Sequence, residues 1–134
     1  LTPSYPAFSA SSSGQSFTAN VLTKLACNIE AYDTNSSYDN VTNFRFVPKK
    51  SGKYRVTVQI QSTNVQAGAN ISVYKNGANF ARLQGVVANS YTDALSGSVT
   101  VELNGTTDYI EAYGYWTSSN TAKSIFQAEY IIGA

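Results

Sequence analysis

The sequence predicts an all-β fold: a two-sheet antiparallel jelly-roll sandwich of about ten short strands. Three observations carry the prediction. Apolar and polar residues alternate at period two along most of the chain. Gly, Pro, Asn and Ser interrupt the alternation every eight to twelve residues or so. No stretch shows the three-to-four spacing of an amphipathic helix. The length of 134 residues suits one domain over positions 1–134 with a core of its own.

Taken in order, Tyr5–Ala10 reads as a first strand after Pro3 and Pro6, and Phe17–Ala31 as one or two more. Asp33–Asn43 is a polar loop. Phe44–Val47 is a short strand stopped by Pro48, and Lys49–Gly52 is a turn. Lys53–Ser62 is the clearest strand, with Tyr54, Val56, Val58 and Ile60 on one face and Arg55, Thr57, Gln59 and Gln61 on the other. Asn64–Ala69 is a loop of small residues. Ile71–Lys75 and Asn79–Leu83 flank Asn76-Gly77, a dipeptide suited to a tight hairpin because both residues tolerate positive φ. Tyr91–Leu103 follows, then Asn104-Gly105 as a second such turn. Thr107–Thr117 is a tyrosine-rich strand, Ser118–Ala122 a loop, and Ser124–Ile132 the closing strand.

Charged residues make up only 13% of the chain and aromatic residues another 13%, the reverse of a disordered composition. The surface is therefore polar through Ser, Thr and Asn, and such a surface stays soluble as salt and pH vary, which suits an extracellular setting. A net charge of +1 gives no general attraction to nucleic acid or a membrane surface. The cluster Lys49, Lys50, Lys53 and Arg55 has two readings, a contact for an anionic glycan or, preferred, a solvated turn. No stretch is long and apolar enough for a membrane-spanning helix. Position 1 is not Met, so the expectation is a processed or excised piece of a longer protein.

The inventory argues against catalysis. Without His, the commonest general base and the usual Ser and Cys triads are missing. The single Cys27 cannot form an internal disulfide and sits in an apolar strand-like stretch. A pair of carboxylates would suffice for glycoside hydrolysis, but Glu102 falls on the polar face of its strand. Asp33, Asn35, Ser37 and Asp39 place oxygen side chains at alternate positions, like the start of a calcium loop. Tyr38 occupies the place of the turn glycine, however, and Phe44 that of the closing glutamate. Either a looser cation site or a turn in which Asp bonds the backbone fits the segment. No cofactor is expected. Sequons begin at Asn35, Asn40, Asn70 and Asn104.

The aromatic residues are the candidates for binding. Tyr109, Tyr113 and Tyr130 are expected to be structural. Trp116 borders the polar loop that includes Asn120, and an aromatic beside a loop is the better contact candidate. Tyr91 and Tyr38 are weaker examples of the same kind.

Several motifs resemble the globular heads of the complement component 1q-like, tumour-necrosis-factor-like family. Pro6-Ala7-Phe8-Ser9-Ala10 looks like the opening strand. Asn43-Phe44-Arg45-Phe46-Val47-Pro48 followed by Ser51-Gly52-Lys53-Tyr54 resembles its Phe-rich strand, Pro turn and Tyr strand. Ser72-Val73-Tyr74-Lys75-Asn76-Gly77 is similar to its Lys-Asn-Gly hairpin. Val99 to Ile110 resembles the penultimate hairpin, and Ile125-Phe126 the closing strand. Within the family, Leu103 to Ile110 and the segment Tyr32 to Asp39 look most like the heads of bacteriophage tail fibres and bacterial surface proteins. Vertebrate members usually carry Gly-Asp where this chain has Asn104-Gly105.

The resemblance implies a homotrimer of ten-stranded jelly rolls at the C-terminal tip of a longer stalk, with Phe8 and Tyr54 near the three-fold axis. It carries no catalytic residues. The reading that follows is a tail-fibre head, outside the cell and on the virion, that binds a host-surface glycan or protein and caps the fibre trimer. Trp116, Tyr91, Tyr38 and Asn120 are the expected contacts. A purely structural trimerisation cap and a carbohydrate-binding module of a secreted bacterial protein are the alternatives.

Overall fold

The computed structural model describes residues 5–87 and 91–133, and for residues 63–66 and 91–93 the backbone alone. Nine strands run through the described residues: β1 (Ala7–Phe17), β2 (Thr23–Lys24), β3 (Ile29–Thr34), β4 (Gly52–Gln66), β5 (Ala69–Lys75), β6 (Ala78–Val86), β7 (Tyr91–Leu103), β8 (Ile110–Trp116) and β9 (Asn120–Ile132). They form two sheets, one of five strands in the order β3-β1-β9-β4-β7 and one of four in the order β2-β8-β5-β6. Every pairing is antiparallel. β1 and β9 are neighbours although they lie at opposite ends of the chain, so the sandwich closes only when the last strand is in place.

The period-two pattern decides what lies between the sheets. Tyr54, Val56, Val58 and Ile60 of β4 are all fully buried, as the alternation requires. Phe126 and Ala128 of β9, Val101 and Leu103 of β7, and Ile71 and Val73 of β5 meet them in the core. Cys27 is buried with them and shares a 3.2 Å hydrogen bond with the Ser124 hydroxyl. Burial pushes its thiol up to about 11, so it is inert at neutral pH.

The expected strand Phe44–Val47 is reduced to two isolated bridges, from Phe46 to Tyr38 and to Ile110. This accounts for the difference between nine strands and ten. Phe44 has a φ of 50°, a left-handed conformation that breaks an extended run. The segment works as a plug instead. Phe46 is fully buried, and its ring packs on Phe8 at 4.8 Å. The Asp33–Asp39 turn uses its carboxylates on the backbone: Asp33 accepts the Ser37 and Tyr38 amides, and Asp39 accepts those of Val41, Thr42 and Asn43. These last bonds hold the Asp39 carboxyl below the usual carboxylate range.

The two Asn-Gly turns differ. Asn76 and Gly77, with φ of 54° and 84°, close the tight β5–β6 hairpin as expected. Asn104-Gly105 is not a second hairpin, because β7 and β8 lie in different sheets and the segment must cross between them. The Asn104 side chain caps this corner, accepting the amides of Thr106, Thr107 and Asp108 at 2.9–3.0 Å. Asp108 bonds both Asn76 and the Asn104 amide, which ties the corner to the hairpin.

Gly105 is required at this corner twice over. Its φ is +77°, and a Cβ there would collide with the Ser51 nitrogen and lie 2.7 Å from the Lys50 carbonyl carbon. Gly105→Ala is expected to lower stability by about 2–4 kcal/mol in thermal melts. Gly14→Ala, where the nearest atom would be 3.5 Å away, is expected to stay within about 0.5 kcal/mol of wild type.

Candidate functional site

Each sheet turns one face to the core and one outward, and the two outward faces differ in chemistry. On the five-stranded sheet, register aligns Tyr32, Ser9, Gln127, Thr57 and Ser98 in one row across all five strands. The next row is Ile29, Ser11, Ile125, Gln59 and Ser96. Neither row contains a charge. Among the described residues, Glu129 and Arg55 and then Lys53 and Glu102 follow on one side and Lys123 on the other, and Glu30 is exposed on the edge strand β3 between the two rows. Three apolar side chains stand exposed in this band: Ile29 at 50%, Tyr32 at 49% and Ile125 at 39%. A groove of about 390 Å³ crosses it between Ser11, Ser13, Gln59, Gln61 and Ile125, with Lys123 at its charged end.

The outward face of the four-stranded sheet carries aromatic and ionic groups. On β8 the inward set is Ile110, Ala112, Gly114 and Trp116, which leaves Glu111, Tyr113 and Tyr115 outward. Pairing with β5 brings Tyr115 beside Asn70, Tyr113 beside Ser72 and Glu111 beside Tyr74. β6 adds Arg82 and Asn79 to the last two rows. The rings of Tyr74 and Tyr113 lie 4.3 Å apart, and the Tyr115 hydroxyl donates to Asn20 Oδ1 at 3.1 Å. Burial, then the nearby Glu111 charge, raises the Tyr113 hydroxyl above its ordinary range. A groove of about 270 Å³ runs between Tyr74 and Tyr115, over Asn70, Ser72, Asn79 and Arg82, and is edged by Leu22.

Glu111 is the buried ion of this face. Its carboxylate is held by Lys24 Nζ at 2.6 Å and Arg45 Nη2 at 3.1 Å. The Arg45 guanidinium also lies 4.0 Å over the Tyr109 ring, and Lys24 donates to the Asn43 carbonyl. One buried carboxylate thus pins β2, β8 and the plug segment together. Of the basic cluster, Lys49 and Lys50 precede β4 while Lys53 and Arg55 lie on it, with Lys53 3.7 Å from Glu102 and Lys50 over the rings of Tyr5 and Tyr130.

Of the expected contact residues, Trp116 and Tyr38 lie in the core. Trp116 is 1% exposed and fills the last inward position of β8, so it is core and not a stacking platform. Its indole N–H has no partner among the described residues. Tyr38 is 6% exposed, stacked on Phe8 at 4.2 Å, with its hydroxyl donating to the Cys27 carbonyl. Phe8 and Tyr54 are fully buried within the protomer and cannot reach a neighbouring subunit; the outward residues of the same strands, Ser9, Ser11, Thr57 and Gln59, can. Asn120 is half-buried and donates to the Ser118 carbonyl. The Tyr91 side chain lies outside the described residues.

The sequence reading does not single out Tyr74, leaves Tyr115 between core and platform, and assigns Tyr113 to structure; all three rings lie on this outward face. The available signal was the phase of β8: Ile110 and Ala112 mark the inward set, and this fixes Tyr113 and Tyr115 as outward.

No protein-family model matches the chain, nor does any curated protein. Solved structures do match its fold. The globular domain of zebrafish complement 1qA aligns with a TM-score of 0.72 at 17% identity, over 96% of this chain and 99% of that one. The vertex protein P5 of PRD1 aligns with a TM-score of 0.74 at 19% identity, over 97% and 99%. The Eiger tumour necrosis factor of S. frugiperda gives 0.65 at 12% identity, over 99% and 96%. The chain therefore has the complement 1q/tumour-necrosis-factor-like jelly-roll fold.

Burial of Trp116 makes a direct prediction. Native emission from this single Trp should be blue-shifted and resist acrylamide quenching, and Trp116→Ala should cost about 3–5 kcal/mol in urea denaturation. A readily quenched indole and a near-neutral substitution would place it at the surface.

Proposed function

We propose that the chain is the receptor-binding head of a phage tail fibre. Three copies associate through the outward face of the five-stranded sheet. The outward face of the four-stranded sheet, left open to solvent at the fibre tip, binds a host-surface polysaccharide. The head works by binding and not by catalysis, and the same trimer caps the fibre.

The observation that carries this reading is the contrast between the two outward faces. Two full rows of the five-stranded sheet lack a formal charge and expose Ile29, Tyr32 and Ile125. Burying these two rows against another copy desolvates no ion of theirs, with Glu30 left at the β3 edge, and depletion of charge is the compositional mark of an interface core. A cyclic arrangement uses the face heterologously and closes at three. The four-stranded sheet presents tyrosine rings and amides instead, groups that pack on a sugar ring and bond its hydroxyls. Three such sites on one head, and several fibres on one particle, raise effective concentration and turn weak contacts into firm adhesion.

The likeness to the PRD1 vertex protein and the complement 1q head supports the fold in which such a trimer is built. A second reading, a cap without a ligand of its own, draws on the neutral band alone.

In sedimentation at micromolar concentration the wild-type domain is expected to be a trimer. Ser11→Glu with Gln59→Glu places charges in the uncharged rows and is expected to give folded monomers. Particles whose fibres carry Tyr74→Ala and Tyr115→Ala should keep the trimer and lose roughly tenfold or more of their host adsorption. Unchanged adsorption of those particles would favour the cap.

A further inference from the structure

We propose that the groove on the four-stranded sheet selects an acidic sugar and that Arg82 is the group that takes its anionic substituent. This rests on the reading of the chain as a glycan-binding head and names the class of glycan.

The groove has the parts such a ligand needs. Tyr74 and Tyr115 stand at its ends and Leu22 at its edge, giving apolar surface for the C–H face of a pyranose ring. Asn70 and Asn79 lie between them, and their side chains make no hydrogen bond among the described residues. Each therefore offers an amide donor and a carbonyl acceptor to ring hydroxyls.

The charge balance decides the class. Arg82 is exposed on β6 and forms no ion pair or hydrogen bond among the described residues. Of the described residues that line the groove, none is acidic. Glu111, the acid of this face, is almost fully buried and already held by Lys24 and Arg45, so it does not neutralise Arg82. What remains in the groove is one unpaired guanidinium. Its planar fork matches a carboxylate, sulfate or phosphate in bidentate fashion. A uronic acid or a sulfated or phosphorylated sugar complements this site. A neutral sugar leaves the guanidinium unused.

The test is calorimetric titration of the intact trimer with tetragalacturonate, a chondroitin sulfate tetrasaccharide and maltotetraose, with particle adsorption measured alongside. At least one acidic probe is expected to bind more tightly than maltotetraose and to weaken as ionic strength rises. Arg82→Gln should reduce that affinity roughly tenfold, the size of one charge-assisted contact, and Arg82→Lys should recover part of it. Tyr115→Ala should weaken all sugar binding.

Equal affinity for maltotetraose, unchanged in Arg82→Gln but lost in Tyr115→Ala, would overturn the acidic class and leave the glycan-binding head standing. Binding indifferent to both Arg82→Gln and Tyr115→Ala, or no binding of any probe, would overturn the groove. The head reading falls as well only if adsorption also ignores Tyr74→Ala and Tyr115→Ala.

Discussion

The ring of Phe8 is the contact on which the architecture turns. It stacks on Tyr38 at 4.2 Å and on Phe46 at 4.8 Å, and meets the edge of Phe126 at 5.0 Å. These four rings come from β1, from the segment between β3 and β4, and from β9. One cluster therefore joins the two ends of the chain and seats the plug. It also sets the phase of the strands. With Phe8 inward, Ser9 and Ser11 must point outward; with Phe126 inward, Ile125 and Gln127 must. A slip of one residue would exchange every inward and outward side chain, so the packing of this cluster decides the chemistry of both surfaces.

On the proposed reading, those surfaces divide the labour of a binding head. A chain with so few charges can leave the centre of one sheet neutral without losing solubility, because Ser, Thr and Gln keep it hydrated; in the proposed trimer another copy covers it. The ionic groups of the other sheet are gathered instead into one buried cluster around Glu111. Breaking such a cluster is costly while making it contributes little, so its effect is positional. It holds β2 and the plug against β8 and leaves Arg82 as the cation of the groove that is unpaired among the described residues.

Much of this was legible in the sequence because alternation is a local property. The inward faces of β4 and β9, the Asn76-Gly77 hairpin and the buried Cys27 all follow from neighbours in the chain. The failures share one physical origin. Alternation says which residues share a face but not what that face meets, so Phe8 and Tyr54 were taken to the subunit boundary when their own protomer covers them. The loop beside Trp116 suggested exposure, although its spacing from Ile110 and Ala112 places it inward. The neutral rows depend on β1 lying between β3 and β9, and the tyrosine groove on β8 lying beside β5. Both are pairings distant in sequence that no local pattern encodes. The Asn104-Gly105 corner was misread for the same reason: the dipeptide permits a hairpin, and only the strand order makes it a crossing between sheets.

The central claim is that one outward face is covered by other copies and the other is open. Cysteine labelling tests it most directly. Gln59→Cys lies in the neutral band and Asn79→Cys beside the groove, and both side chains are exposed in the protomer, whereas the native Cys27 is buried. In the native assembly the account predicts slow modification by a bulky maleimide at position 59 and fast modification at position 79, with equal rates after unfolding. Fast labelling at both positions in the native assembly would contradict it.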